Sequence, residues 1–272
     1  MKTTKLLLIC LLLTGLNIQA QKFYVRAGIG AALSTSAYFV GDYTNSDNTN
    51  TATAKKKGLG TGLPFVLAAG YKIHENFKIE LGVDYFYGFK LKYKDVTSWA
   101  KNEGNFSAQI LSLVPALIFT LPLEKFQPYA RLGLKIGILN RIISEEHSEF
   151  TGEGKTFADT RDYTNRDYGG VPFGIQAAFG TDIVLNSTLS LFGEIQVDGI
   201  SYAPTHGKYT KYEENGADQL GNMTTNEKEV DYVTDIDYNE DIPDDQPDKE
   251  LKTNYPLNSV GIVIGVKINI GQ

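Results

Sequence analysis

Hydrophobic and polar side chains alternate through residues 77–93. Odd positions are apolar or aromatic from Phe77 to Tyr93, and even positions are charged or glycine, except for Phe86. A period of two places alternate side chains on opposite faces of a β-strand, whereas a helix would spread these charges around its circumference. A tilted strand needs about 9–11 residues to cross a bilayer. The run therefore predicts a transmembrane strand with a lipid face and a lumen face.

Eight segments of this kind predict the architecture. The predicted strands are residues 23–33, 63–73, 77–93, 105–121, 127–141, 171–185, 189–202 and 258–270. The connections at 34–62, 94–104, 142–170 and 203–257 are long and polar and are predicted as loops, and short turns alternate with them. This order predicts an all-β fold over residues 21–272: an eight-stranded antiparallel up-and-down transmembrane β-barrel with short periplasmic turns and long extracellular loops.

The polar face of these strands combines glycines with charges of both signs. Small and long residues side by side suit the narrow interior of an eight-stranded barrel, where charges must be paired. A soluble periplasmic β domain is the competing prediction, because sandwich strands also alternate. The predicted lumen charge network consists of Arg26, Lys72, Glu80, Asp84, Arg131, Lys135, Asp182, Glu194, Asp198 and Lys267.

The first twenty residues have the pattern of a secretory signal peptide. Two lysines precede an apolar run at residues 6–13, and the predicted cleavage follows Ala20. Cys10, the only cysteine, lies within the apolar run, so the mature chain is predicted to lack disulfides and thiol chemistry. The apolar run at residues 110–121 is too short for a spanning helix and is interrupted by Pro115.

Aromatic residues near the strand ends predict interfacial girdles. Tyr71, Phe77, Phe119 and Phe126 are assigned to the turn end, and Tyr87, Phe89, Phe106 and Tyr202 to the loop end. With the signal peptide, the eight strands and the segments VPALIFTLP, QPYARLG and GIVIGVKINI, the chain resembles the small outer-membrane β-barrel superfamily of OmpA-transmembrane, OmpX and OmpW-like proteins. The resemblance implies insertion by the outer-membrane assembly machinery.

The last predicted loop concentrates the acidity of the chain. Residues 203–257 contain fourteen Asp and Glu against five Lys, a net charge of −9, whereas the whole chain carries −6. Asp235, Asp237, Asn239 and Asp241 have the alternate spacing of calcium ligands. The sharp-turn glycine is replaced by Glu240, and position twelve is Gln246 rather than Glu. A calcium site and a solvated acidic loop are both open; no other cofactor is predicted.

The remaining chemistry favours a non-enzymatic protein. His74, His147 and His206 fall in a turn and two loops, and adjacency of His147 to Ser148 is not a catalytic triad. Phosphate-binding motifs and basic nucleic-acid patches are absent from the sequence. The predicted function is a structural or surface-interaction role in the outer membrane, through loops that bind an extracellular ligand, as a monomer surrounded by lipid. The alternative is a narrow OmpW-like channel for ions or small apolar molecules.

Overall fold

A computed structural model describes residues 22–36, 38–46, 49–151, 159–237, 239 and 241–270. The predicted signal peptide, with Cys10, lies outside these residues. The strands are β1 Phe23–Ser34, β2 Tyr38–Ser46, β3 Thr49–Lys57, β4 Gly62–Lys72, β5 Phe77–Gly88, β6 Leu91–Val96, β7 Ala100–Thr120, β8 Phe126–Phe150, β9 Thr160–Tyr168, β10 Phe173–Val184, β11 Leu189–Tyr202, β12 His206–Glu214, β13 Ala217–Asp218, β14 Glu229–Val233, β15 Asp248–Leu251, β16 Tyr255–Pro256 and β17 Ser259–Ile270. A 3₁₀ turn, Leu220–Asn222, and one helix, α1 (Thr225–Lys228), complete the described elements.

Eight of these strands close an antiparallel barrel. The order around the barrel is β1, β4, β5, β7, β8, β10 and β11, and β17 then pairs with both β11 and β1. The predicted eight-stranded barrel is confirmed. The predicted strand at residues 189–202 coincides with β11, and most other barrel strands agree to within two residues at each end.

The two faces of the barrel differ as the alternation predicts. Leu67, Leu81, Leu117 and Phe179 are among the many exposed apolar residues on the outer face, while the inner face buries most of the charges. Water would penalise such an exterior, whereas lipid accommodates it. None of the helices within the described residues is long and apolar enough to span a membrane.

The run at residues 77–93 is two strands rather than one. β5 ends at Gly88, and β6 begins at Leu91. Phe89 and Lys90 are both exposed, so the parity of the chain changes between them and Leu91 becomes buried. A strand of unbroken period two would have kept Leu91 on the lipid face. Phe86, the apolar exception among the even positions, keeps the parity of β5 and is buried inside the barrel.

The long connections were predicted as loops, and that prediction is wrong for much of their length. β2, β3, β6, β9, β12, β14 and β15, with residues 100–106 of β7 and 142–150 of β8, form a sheet that we call the outer wall. Its order is β3, β2, β6, β7, β8, β9, β12, β14 and β15. β9 and β12 lack hydrophobic alternation because the residues on both of their faces are polar, tyrosine or glycine.

An apolar cluster fills the barrel where the outer wall begins. Leu59 and Leu257, from the first and last long connections, insert between barrel residues. Tyr202 is fully buried in the cluster, and Phe106 packs against it, so their assignment to a girdle is wrong. Because Glu194 and Tyr202 have the same parity on β11, both point inward. The apolar plug comprises Ala32, Leu59, Phe86, Leu91, Ala108, Ile110, Ile142, Ile200, Tyr202 and Leu257.

Candidate functional site

The lumen below the apolar plug contains an ion-pair network centred on Glu194. Arg26 and Arg131 each contact its carboxylate, at 2.9 and 2.8 Å, and the Tyr129 hydroxyl donates to it at 2.7 Å. The Arg26 Nε also lies 3.0 Å from Glu80. Every one of these side chains is almost fully buried, so each charge depends on its partners for the hydration it has lost.

A second part of the network lies next to the plug. The Lys135 ammonium lies 3.2 Å from Asp198 and 3.8 Å from Asp84. Gln176 donates to both carboxylates, at 2.8 Å to Asp84 and 2.9 Å to Asp198. Between this group and the plug the structure leaves a cavity of about 10 Å³, which is roughly the space of one water molecule.

The third part of the network faces the turn end of the barrel. Lys267 bonds Asp182, and Lys78 lies 3.8 Å from the same carboxylate. Lys72 lines a vestibule of about 360 Å³ at this mouth together with Lys78 and Lys267. Nine of the ten predicted lumen residues are thus joined in ion pairs. Lys78 was absent from the predicted network, although its even position on β5 places it on the same face as Glu80.

Inward glycines make room for large lumen side chains. A Cβ on Gly70 would stand 2.0 Å from the Tyr24 ring, and one on Gly180 would stand 2.7 Å from the Tyr129 ring. Both rings donate hydrogen bonds to network carboxylates: the Tyr24 hydroxyl to Glu80 at 3.1 Å and the Tyr129 hydroxyl to Glu194 at 2.7 Å. Gly70 and Gly180 therefore allow the aromatic donors of the network to fit, as the narrow barrel predicts.

Beyond the plug, the lumen side of the outer wall carries a tyrosine-rich face, defined as Tyr93, Tyr163, Tyr209, Tyr212 and Tyr232. Ring centroids are 5.4 Å apart for Tyr163 and Tyr209 and 5.7 Å apart for Tyr209 and Tyr212. Each ring is half-buried, so part of it remains accessible. Tyrosine combines a large apolar surface with a hydrogen-bonding hydroxyl, which suits recognition of another molecule.

Charged groups are interleaved with these rings. The Arg161 guanidinium lies 5.7 Å from the centre of the Tyr212 ring. Tyr93 donates to Glu146, and Tyr232 donates to Asp167 at 2.9 Å. Burial raises the pKa of Asp167, opposed by its hydrogen bonds from Tyr232 and Asn165. Burial likewise raises the pKa of Tyr232. These partly desolvated groups would interact strongly with an incoming ligand.

The predicted calcium residues lie between β14 and β15. The Asp237 carboxylate accepts hydrogen bonds of 3.0 Å from the backbone and side chain of Asn239. Asp235 accepts from the Thr234 hydroxyl at 3.3 Å. In the described part of the chain, which omits residues 238 and 240, acidic, His and Cys side chains form no group of three or more suited to a metal. The calcium site stays a prediction.

The histidines form local pairs rather than a triad. His147 Nδ1 lies 2.8 Å from Asp162, and its Nε2 lies 3.5 Å from Glu149, so carboxylates contact both ring nitrogens. His206 Nδ1 lies 2.6 Å from Asp231. A triad requires a nucleophile on the second nitrogen of the base. The geometry around His147 is that of an ion pair between β8 and β9.

Comparison with known proteins identifies the family. A sequence profile described as the outer membrane protein beta-barrel domain matches residues 6–218, most of the chain. The chain belongs to this family. No curated protein sequence matches it. As an outer membrane protein beta-barrel domain, it is localised to the outer membrane, and its apolar exterior is the lipid-facing surface.

Several solved structures align with most of this chain at low sequence identity. Neisserial surface protein A (NspA) is 11% identical, with a TM-score of 0.40 over 93% of this chain and 99% of NspA. OprG from Pseudomonas aeruginosa is 12% identical, with a TM-score of 0.41 over 93% of this chain and 98% of OprG. Outer Membrane Protein W from E. coli is 15% identical, with a TM-score of 0.32 over 92% and 98% of the two chains.

Proposed function

We propose that this outer-membrane barrel is a non-enzymatic surface-interaction protein that binds its partner through the outer wall. The observation that carries the proposal is the closure of the lumen. The apolar plug lies above an ion-pair network that joins nine of the ten predicted lumen residues, and the cavity between plug and network has a volume of only about 10 Å³. An ion crossing this barrel would have to break buried ion pairs, and breaking such a pair leaves an uncompensated buried charge.

The outer wall supports the second half of the proposal. The tyrosine-rich face is held by paired backbone strands, so its rings are presented on a preorganised surface. Rigid tyrosines give a large contact area at a low entropic cost.

We place the wall outside the cell, since long connections of outer-membrane barrels are extracellular. The barrel closes within one chain, which supports a monomer. Insertion by the outer-membrane assembly machinery is part of the proposal, calcium in the last loop stays a prediction, and no other cofactor is proposed.

Surface exposure of the wall is tested by proteolysis of intact cells that express the protein. Cleavage within residues 203–257, with the barrel fragment retained in the outer membrane, is the expected result. A variant with a protease site inserted in the turn at residues 122–125 is the control and remains uncut in intact cells. Cleavage only after the outer membrane is permeabilised would place the wall in the periplasm and contradict the proposal.

The channel alternative is tested in planar bilayers with protein whose folding is verified by its migration on unboiled gels. The expected result is the absence of unitary conductance. A conductance that changes in Glu80→Ala or Arg131→Ala would show that ions pass the network, and it would replace the surface-interaction proposal. Proteolysis tests whether the outer wall is outside the cell, and conductance tests whether the lumen is closed, so each half of the proposal has its own test.

A further inference from the structure

The outer surface of the barrel carries a groove at the level where the apolar belt ends. We call it the basic groove and define it by Tyr85, Leu139, Arg141, Arg166, Tyr168 and Lys208. Its volume is about 550 Å³. Three of its residues are cationic, and none of its lining residues is acidic. This composition is unexpected in a chain of net charge −6.

A β-bulge creates the groove. Leu111 pairs with Leu139, and Ser112 pairs with Gly137, so Ile138 is the extra residue of β8. Ile138 and Leu139 are consequently both exposed, and Arg141 points outward. Unbroken alternation through residues 127–141 predicts the opposite, with Arg141 on the lumen face. Bulges commonly re-aim side chains in this way, and here the re-aimed side chain is a cation.

The charges of the groove are incompletely neutralised. Arg141 donates through Nε at 2.9 Å to the side-chain oxygen of Gln109, a neutral acceptor. Arg166 has no ion pair or side-chain hydrogen bond within the described residues and is exposed. Lys208 bonds Glu229 at 2.7 Å. Two guanidinium groups are thus available to an anion, and guanidinium groups bind phosphate through paired hydrogen bonds.

The groove is continuous with the lipid-facing belt. Exposed apolar residues of β8 run from Phe126 to Leu139, long enough for a tilted strand to cross the hydrocarbon core. Arg141 follows at the upper limit of this belt. Leu139 is 69% exposed, and Tyr85 and Tyr168 flank it. A molecule in the groove would place an anionic group on the arginines and an apolar chain against Leu139.

We propose that the basic groove binds the phosphorylated headgroup of an outer-leaflet glycolipid, with an acyl chain packed along Leu139. The proposal rests on the external placement of the outer wall, because only that orientation brings the groove to the outer leaflet. A free anion would pair with the arginines but leave the apolar surface of Leu139 exposed. A neutral lipid would cover that surface but leave two cations unpaired.

The test uses the folded full-length barrel in a neutral detergent and diphosphorylated lipid A as the probe, with bound lipid counted by native mass spectrometry. The variant is Arg141→Gln with Arg166→Gln. Its matched control is Lys101→Gln with Lys211→Gln, which removes the same charge from outward-facing cations elsewhere on the wall. We expect the groove variant to weaken lipid A binding by about tenfold or more, and the control to bind like wild type.

Other results would overturn the proposal. Equal binding by wild type, variant and control would show that the arginines do not recognise the headgroup. Competition by inorganic phosphate as effective as lipid A would assign the groove to free anions, and preference for phosphatidylglycerol would assign it to another lipid class. If the double variant does not fold, Arg166→Gln alone carries the test, since Arg166 has no side-chain partner in the described structure. Proteolysis of intact cells reports on orientation separately.

Discussion

At the residue scale, the space opposite Gly70 is filled by the Tyr24 ring, and this makes Gly70 a sharp test of the barrel interior. A Cβ on Gly70 would overlap the Tyr24 ring at 2.0 Å, whereas a Cβ on Gly193, on the lipid face, would meet nothing closer than 3.9 Å. We expect Gly70→Val to destabilise the barrel by about 1–3 kcal/mol through overpacking, measured by urea unfolding in vesicles. Gly193→Val is the control, and equal losses in both would contradict the packing argument.

His147 provides a residue-scale prediction of pH dependence. The hydrogen bond with Asp162 raises the pKa of His147 above 6.5, opposed by partial desolvation. The stabilisation from this pair is therefore complete below about pH 6.5 and is lost as the pH rises through the raised pKa. NMR titration is expected to show a His147 pKa above 6.5 in wild type and a lower value in Asp162→Asn. Lys208→Gln, at a distance from the pair, should leave it unchanged.

Single residues also show what sequence alternation can and cannot predict. The lumen position of nearly all the charged side chains of the network was predicted from the period of two, because a charged side chain facing lipid would lose its hydration at a prohibitive cost in free energy. The outward turn of Arg141 could not be predicted, since one extra residue at Ile138 reverses the parity and leaves no mark in the composition. Glu194 and Tyr202 are an even number of positions apart on β11, so a period of two predicts that both side chains face the lumen. Tyr202 was assigned to an interfacial girdle instead because an aromatic ring near a strand end also fits that position.

At the element scale, a strand is recognisable from sequence only where its two faces meet different media. The barrel strands separate lipid from a packed lumen, so their hydrophobicity alternates. β9 and β12 have polar or tyrosine residues on both sides, so they lack this signal although they pair along most of their length. Such strands were therefore predicted as loops.

The same distinction predicts that the outer half of the β8–β9 hairpin is dispensable for the barrel. Its residues pair only within the outer wall, whereas the barrel strands are closed without them. Replacement of residues 145–164 by a short Gly-Ser turn should leave a folded barrel that still migrates faster when unboiled. A matched deletion of the same length within residues 126–145 removes barrel pairing and should abolish that migration. Loss of the folded band in the first variant would show that the wall is required for closure.

At the scale of the whole molecule, a closed barrel and an open sheet share the strands β7 and β8. Each barrel strand pairs on both sides, whereas the outer wall ends at β3 and β15, each of which pairs on one side within the described residues. Edge strands open more easily, since their backbone groups already face water. The edges of the outer wall, at β3 and β15, should therefore open more easily than its paired centre and than the barrel.

Hydrogen exchange in lipid nanodiscs tests this gradient directly. Amides of β11, paired with β10 and β17 throughout the membrane, should exchange most slowly. Amides of β12 should exchange at intermediate rates, and those of β15 should exchange fastest, because exchange follows the free energy of local opening. The β7 amides provide an internal control, since one strand spans both regions: protection should fall from residues 108–119 towards residues 100–106. Uniform protection along β7 would mean that wall and barrel open as one cooperative unit, and it would contradict the expected gradient.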